Sequence, residues 1–510
     1  MKKNIVRIFA LILTLSLCFT FTGCELLNRV LENIPGINQE KPPVDDDDVI
    51  GGEEEEEEEE EDLADELAGI TDDTIWVGNT AGTTGLLATI GGPFNLGIEA
   101  AFAAYNRAGG YNGKSVKLKH YDDGGLAENS TTLLDKLIYE DEVFAIVGHF
   151  GSYAVDATLD TLVDEEVPMI YAAAGNDALL NENASTLGEK GIVPVQPLNK
   201  TEGRMLILRA FAPADKGGLG GTKVGVISNS NEASQSLLAG IKAEAENLPA
   251  SKKDNIVYQE VASSDYSAAV NALKAAGCDV VVLTVIGADF TTCLTTMANS
   301  VYYCKVLTSY NNASATVFND EFTVMKKEYE AVFATMAIYT QAWLDISSTT
   351  YVYNNTDHLL GQAYKALYEG MGLPFAGQAG FNEAYWEVAE DIYEYALTVN
   401  PATAFAMSAD AYALAGYIAG DLFCQALEEL EASGKALSRK NLISILESKE
   451  YQIAMADTLS FANGMRSGVQ SFALSQFYDG IVTNGTYHTA ASATVYGLMS
   501  LEDYRKLLAE

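Results

Sequence analysis

"VFAIVGHFGSYAVDATLDTLVDEEVPMIYAAAGN", residues 143–176, contains the unit from which the fold is read. Its first six residues are almost wholly apolar, as expected of a strand covered on both faces. A turn of Gly and Ser follows, and then Leu159, Leu162 and Val163 mark a helix. "PMIYAAAG" (168–175) is a second apolar strand. A strand, a helix and a strand in succession make a βαβ unit with parallel strands.

The same rhythm extends in both directions. Upstream, Ile75–Asn79 reads as a strand, and Leu96, Ile98, Phe102 and Tyr105 mark a helix that Gly109-Gly110 stops. "SVKLKHY" (115–121) is the next strand, and Leu133, Leu134, Leu137 and Ile138 mark the next helix. Downstream, the series restarts near Thr222. Strands are expected at 223–228, 255–261, 279–287 and 305–310, with helices at 234–247, 267–276 and 290–300 between them. Two successive βαβα series predict an α/β protein with two Rossmann-like lobes built on parallel sheets. Residues 330–450 read as mostly helical, with 407–430 the clearest amphipathic stretch, while 345–400, rich in Tyr and Asn, has no assigned element.

The ends carry other signals. Lys2, Lys3 and Arg7 precede the apolar run Ile8–Phe21, which is too short for a membrane span and has the form of a secretory signal over residues 1–23. "FTGC" (21–24) resembles the lipobox of bacterial lipoproteins, which implies lipid on Cys24 and a membrane anchor. Residues 24–73 include "PPVDDDD" and nine consecutive glutamates, Glu53–Glu61. Like charges at this density resist collapse, so a disordered linker is expected there. The formal net charge of the whole chain is −40, and it stays strongly acidic without the glutamate tract. Nucleic acid is excluded as a partner, because binding it needs a basic face. Cys278, Cys293, Cys304 and Cys424 form no CxxC pair, which argues against zinc. A Cys278–Cys304 bridge requires the strands that follow them to be neighbours. No cofactor motif is present.

The loop "GNTAGTTG" (78–85) is neither a P-loop, since no Lys follows it before Arg107, nor G-x-G-x-x-G. A smaller ligand is expected instead. In open α/β sheets, ligands sit beyond the carboxyl ends of the strands, where helix N-termini offer free N–H groups. Three such turns fall in the first lobe: Thr83-Thr84-Gly85, His149-Phe150-Gly151-Ser152 and Ala173-Ala174-Gly175-Asn176. His149 and Ser152 lie three residues apart, but no G-x-S-x-G elbow or orienting third group accompanies them. A surface hydrolase is therefore the weaker reading.

The stretches 84–123, 143–176 and 265–284 resemble the substrate-binding proteins of branched-chain amino-acid ABC transporters, the type I periplasmic binding proteins. The resemblance implies two lobes joined by three hinge crossovers near residues 198, 335 and 468, closing on a small solute. It implies a first lobe of 74–198 plus 336–468 and a second of 199–335 plus 469–510. It places Ser152 on a ligand carboxylate, with its neighbour Tyr153 also in the site and Thr84, Gly85 and Ile90 in the first loop. Contacts after the fourth strand fall on Ala173, Ala174, Gly175 and Asn176. In the second lobe the position of a stacking aromatic is Ala233, and that of the acidic partner of an ammonium falls near Tyr310. Asn229, Asn231 and Tyr310 offer neutral polar groups there, and Glu232 is an alternative acid. The function implied is capture of a small polar organic solute, such as an amino acid or amide, for delivery to ABC permease subunits. A ligand sensor that reports to a receptor is the alternative within the same binding class.

Overall fold

The computed structural model describes residues 66–171, 173–181, 191–313, 319–320, 324–325, 332, 335–482 and 487–509. The expected signal, Cys24 and the glutamate tract lie outside the described residues. Residues 66–73, counted with the linker in the sequence reading, pack on the first lobe. Trp76 N–H donates to Gly69 O at 2.8 Å, and Ile70 bridges to Ile75.

The first sheet comprises β1 (Thr74–Ala81), β2 (Ser115–Asp122), β3 (Ile146–Val147), β4 (Met169–Ile170) and β5 (Ile192–Val193). All pairings are parallel, and the order is β2-β1-β3-β4-β5. Helices α1 (Ala88–Ala108), α2 (Ala127–Asp135) and α3 (Ser152–Asp164) connect its strands. After β5 the chain crosses over and begins again with α4 (Asn199–Phe211). The second sheet contains β6 (Val224–Asn229), β7 (Ile256–Val261), β8 (Val280–Leu283), β9 (Lys305–Thr308) and β10 (Ala337–Ala342). These five are parallel in the order β7-β6-β8-β9-β10, the arrangement of the first sheet repeated. Helices α5 (Glu232–Ala245), α6 (Ser267–Ala276) and α7 (Ala288–Asn299) connect them. The two-lobed α/β reading therefore holds.

The long segment after β10 departs from the helical expectation. Strand β10 belongs to the second sheet, so the return to the first lobe comes after Ala342 and not near 335. A hairpin of β11 (Ser347–Tyr353) and β12 (Gln378–Phe381) flanks α8 (Leu359–Gly370), and only then come α9 (Glu383–Val399), α10 (Ala411–Ser433) and α11 (Arg439–Leu446). The hairpin sequences mix polar and aromatic residues, which hides their alternation. A small pair, β13 (Glu450–Gln452) and β14 (Thr458–Ser460), precedes the third crossover. Strands β15 (Ser471–Val482) and β16 (Tyr487–Ser500) then extend the second sheet antiparallel, and α12 (Leu501–Ala509) ends the described chain. Among the described residues no helix is long and apolar enough to cross a membrane.

The β8 and β9 strands are neighbours, yet Cys278 and Cys304 are both free thiols. Val280 pairs with Lys305, which leaves the two cysteines one residue out of register. Both pack in the same core cluster without being directly opposite each other, and no bridge joins them.

Each lobe is closed by two helices that touch backbone to backbone. In the first, a Cβ on Gly97 of α1 would lie 1.9 Å from Ala413 O, and one on Gly416 of α10 would lie 1.8 Å from Phe94 O. In the second, Cβ atoms on Gly203 of α4 and Gly240 of α5 would each come within 2.1 Å of a carbonyl on the facing helix. No side chain fits these contacts. Gly97→Ala and Gly416→Ala are each expected to cost roughly 3 kcal/mol by overpacking. Gly92→Ala, in the same helix with nothing within 4 Å, is expected to change stability by less than about 1 kcal/mol, because the helix-propensity gain is offset by the restriction Pro93 puts on the residue before it. Urea denaturation midpoints check both, and equal effects at positions 92 and 97 would refute the close-contact account.

Candidate functional site

An order of 2-1-3-4-5 places the topological switch between the first and third strands, and the crevice lies at their carboxyl ends. Both sheets have this order, so two crevices exist, one beyond β1 and β3 and one beyond β6 and β8.

In the first lobe the loop after β1 is held by one carboxylate. Asp122 Oδ1 accepts from the N–H groups of Thr83 and Thr84, at 2.9 and 3.2 Å, and its Oδ2 accepts from the Thr84 hydroxyl at 2.5 Å. Thr84 and Gly85 are exposed at the rim, and Gly85 takes a φ of +67°. Ile90 packs with Leu87, Tyr153 and Ala154, so the loop after β1 and the start of α3 form one apolar wall. The Tyr153 hydroxyl donates to Asp123 at 2.9 Å. Ser152 opens α3, and its hydroxyl makes no hydrogen bond among the described residues.

The turn after β4 is more committed. Ala173 N–H donates to His149 O at 2.9 Å, and Ala173 O accepts from Gly151 N–H at 3.2 Å. Its backbone thus extends the sheet and is not open to a ligand. Ala174 is buried in a core cluster, and Gly175 O accepts from Asn199 N–H at the first crossover. Asn176 is buried, with Nδ2 donating to Asp156 Oδ1 at 2.6 Å.

His149 is wholly buried. Its Nε2 lies 2.9 Å from Thr158 Oγ1 and its Nδ1 lies 3.5 Å from Thr80 Oγ1. Thr158 donates its own proton to Ala154 O, so the imidazole donates to Thr158. Burial pushes this imidazole down to about 4, which keeps it neutral. Both ring nitrogens are turned to threonines and neither to Ser152.

In the second lobe, Asn231 is the N-cap of α5, accepting from Ala233 and Ser234 N–H. Asn229, at the end of β6, donates from Nδ2 to Asp289 Oδ2 at 3.0 Å and spans the switch point. Asp289 opens the first turn of α7. The sequence reading passed over it, although an acid just after a Gly turn at a strand end was a signal.

Tyr310 is 1% exposed and serves the hinge. Its hydroxyl donates to Pro197 O at 2.9 Å and its N–H donates to Glu202 at 2.7 Å. Ser309 Oγ donates to the other Glu202 oxygen at 2.6 Å. The expectation that the Tyr310 phenol faces a ligand fails here, because the first crossover occupies it. The third crossover lies alongside, with Val469 N–H on Val195 O at 2.8 Å and Thr201 Oγ1 on Ser467 O at 2.9 Å.

The lobes meet where the two crevices face each other. Ser236 of α5 donates to Asp177, in the turn after β4, at 2.5 Å. Asn176 and Asn231 lie on the two elements that make this contact, and Ser152 lies on α3. Tyr353, Tyr364 and Tyr385 surround Trp386 in the first lobe's core, and Tyr353 stacks on it at 4.3 Å.

A family model described as "Periplasmic binding protein" matches residues 74–350, more than half of the chain. The protein belongs to that family. Among curated relatives, this periplasmic binding protein is 27% identical over 224 residues to Leu/Ile/Val-binding protein homolog 2 of Brucella abortus, covering 42% of this chain and 55% of that one. It is 24% identical over 206 residues to an amino acid binding protein of Pseudomonas aeruginosa, covering 39% and 50%. The chain thus spans about half the length of the curated relatives it matches. Among solved structures it resembles a fatty acid ABC transporter substrate-binding protein from Thermomonospora curvata, with a TM-score of 0.55, 16% identity and coverage of 86% and 95%. A solute binding protein from Rhodopseudomonas palustris, solved with 3,4-dihydroxybenzoic acid, gives a TM-score of 0.51 at 16% identity, covering 84% and 98%. At such identities the likeness establishes the shared fold.

The hinge carries a titratable group. Burial pushes Glu202 up from 4.5 to about 8, although Ser309 and Tyr310 donate to it. The folded state therefore holds a proton that the unfolded chain releases. That contribution to stability is complete below about pH 4.5 and is lost as pH rises through about 8. Glu202→Gln, which keeps an acceptor for Tyr310 N–H, is expected to flatten the decline of Tm across that window. Melting curves of both proteins check it, and parallel declines would contradict a buried neutral carboxyl.

Proposed function

We propose that this protein captures a small polar organic solute between its lobes and delivers it to the permease subunits of an ABC importer. On this reading it works outside the cell, held to the outer face of the bacterial membrane by lipid on Cys24. The observation that carries the proposal is the contact between the lobes at Asp177 and Ser236, from the turn after β4 to the first turns of α5. Strand ends and helix starts of both lobes converge there, and three crossovers tie the lobes. That is the geometry of hinged closure.

The relatives support a small organic ligand. One is named for leucine, isoleucine and valine, and one solved structure holds a dihydroxybenzoic acid. Capture requires no bond making, and His149, withdrawn from Ser152, gives a hydrolytic reading no support. The carbonyls and N–H groups of Ala173 and the phenol of Tyr310 are spent within the fold. Recognition therefore falls to Ser152, the start of α3, the rim at Thr84, Gly85 and Ile90, and the facing residues Asn176, Asn229 and Asn231.

Thermal-shift screening with amino acids, amides and aromatic acids tests capture, since a ligand of the folded state raises Tm by mass action. For the best of these probes, Ser152→Ala is expected to weaken binding about tenfold, roughly the worth of one hydrogen bond, with an unchanged Tm in the absence of probe. Full affinity in the variant would remove Ser152 from the site. Cys24→Ser is expected to move the protein from the membrane fraction to the soluble exported fraction, and retention at the membrane would refute the anchor.

A further inference from the structure

Asp123 follows β2, the edge strand of the first sheet, one place removed from the crevice between β1 and β3. It nevertheless joins both sides of that crevice. Its N–H donates to Ala81 O, at the end of β1, at 3.3 Å. Its side chain reaches the start of α3, the helix that follows β3: Oδ1 accepts from the Tyr153 hydroxyl at 2.9 Å and from Gly125 N–H at 2.8 Å. Oδ2 accepts from the Ser130 hydroxyl at 2.8 Å. The residue is wholly buried. Burying an acid is costly unless its oxygens are met, and three donors meet these.

Tyr153 is held by its ring as well as its hydroxyl. The ring lies over Gly151, where a Cβ would come within 2.4 Å of Cε1, and packs with Leu87 and Ile90. Gly151 takes a φ of +100°, which residues with a side chain rarely adopt. A phenylalanine would fill the same space as Tyr153, so the hydroxyl adds direction and no packing. Ser152 lies between these two residues, and its own hydroxyl has no partner among the described residues. What fixes Ser152 is therefore the pair of neighbours on either side of it.

We propose that Asp123 and Tyr153 are positioning residues of the capture site, whose hydrogen bond sets the start of α3 against the end of β1 and so places Ser152. This rests on the capture reading and adds to it a determinant of affinity that acts from behind the crevice. It also moves Tyr153 from the ligand contacts, among which the family resemblance set it, to the frame that supports them.

Tyr153→Phe, Asp123→Ala, Asp123→Asn and the double variant Tyr153→Phe/Asp123→Ala test it in the full chain. Calorimetry uses leucine, leucinamide or 3,4-dihydroxybenzoate, whichever raises the wild-type Tm most. Tyr153→Phe and Asp123→Ala are each expected to weaken binding about fivefold, roughly the worth of one hydrogen bond, and the double variant no more than Asp123→Ala. Asp123→Asn is expected to bind within about twofold of wild type, because its amide oxygen accepts from Tyr153 and its Nδ2 donates to Ser130. Tyr153→Phe, which keeps the ring, carries the test if Asp123→Ala does not fold. Hydrogen exchange on the chain without probe reads the positioning by itself. Exchange at residues 151–155 is expected to quicken in Tyr153→Phe, with the rest of the chain unchanged, and to stay at the wild-type rate in Asp123→Asn. Wild-type affinity in Tyr153→Phe, additive losses in the double variant, or unchanged exchange would overturn the inference and leave capture standing. If every probe is silent on the wild type, capture falls and the inference falls with it.

Discussion

Close contact between helix backbones organises this protein. Lobe one is assembled from two distant stretches of chain, one before the first crossover and one returning after β10. What joins them is the crossing of α1 and α10, where Gly97 and Gly416 let each helix rest on the other's carbonyl groups. A contact of this kind has no slack, because any side chain would separate the helices and pull α10 from the sheet it covers. The second lobe repeats the device with Gly203 and Gly240. With both lobes closed in the same way, the three crossovers run side by side and the two crevices face each other.

Buried arginines complete the assembly by joining segments far apart in sequence. Arg439 donates to Val143 O at 2.7 Å and Phe144 O at 3.1 Å, and Arg209 donates to Phe472 O at 2.7 Å and Ala473 O at 2.8 Å. Arg466 donates to Ile192 O at 2.6 Å and pairs with Glu447. Each guanidinium carries several N–H donors in a fixed plane, which suits carbonyls exposed where strands end and crossovers begin. Burying such a charge is costly unless its donors are met, and here main-chain oxygens meet them. Glu202 follows the opposite course: no cation offsets its burial fully, and it holds its proton instead.

Much of this was legible in the sequence, for a physical reason. Strands covered on both faces must be apolar throughout, so "VFAIVG", "KVGVIS" and "DVVVLTVIG" announce themselves, and the helix between each pair fixes parallel topology. Strands β11 and β12 are half exposed and carry Tyr, Ser and Gln, so the same test misses them. The candidate site divides along similar lines. Ser152 stands out in the sequence as a small polar residue at a helix start after a buried strand, a position that capping also favours. Tyr310 and Ala173 were misjudged because their partners, Pro197 and Gly151, are brought to them by tertiary contacts that a linear reading lacks. The approach of Asp156 and Asp177 to Glu232 is invisible in sequence, since the three sit on separate elements in two lobes.

The electrostatics of the junction oppose one another over a short distance. Helices α3 and α5 both begin there, so the positive ends of two dipoles converge. Asn231 meets part of this for α5, and at α3 Gly151 O accepts from Ala154 and Val155 N–H. One turn along, at about 6 Å by helical rise, stands Asp156. Burial raises the Glu232 carboxyl, and the like charges of Asp156 and Asp177 raise it further. These acids bear on closure. Asp156 and Asp177 belong to one lobe and Glu232 to the other, so their repulsion acts across the cleft and opposes closing when it is empty.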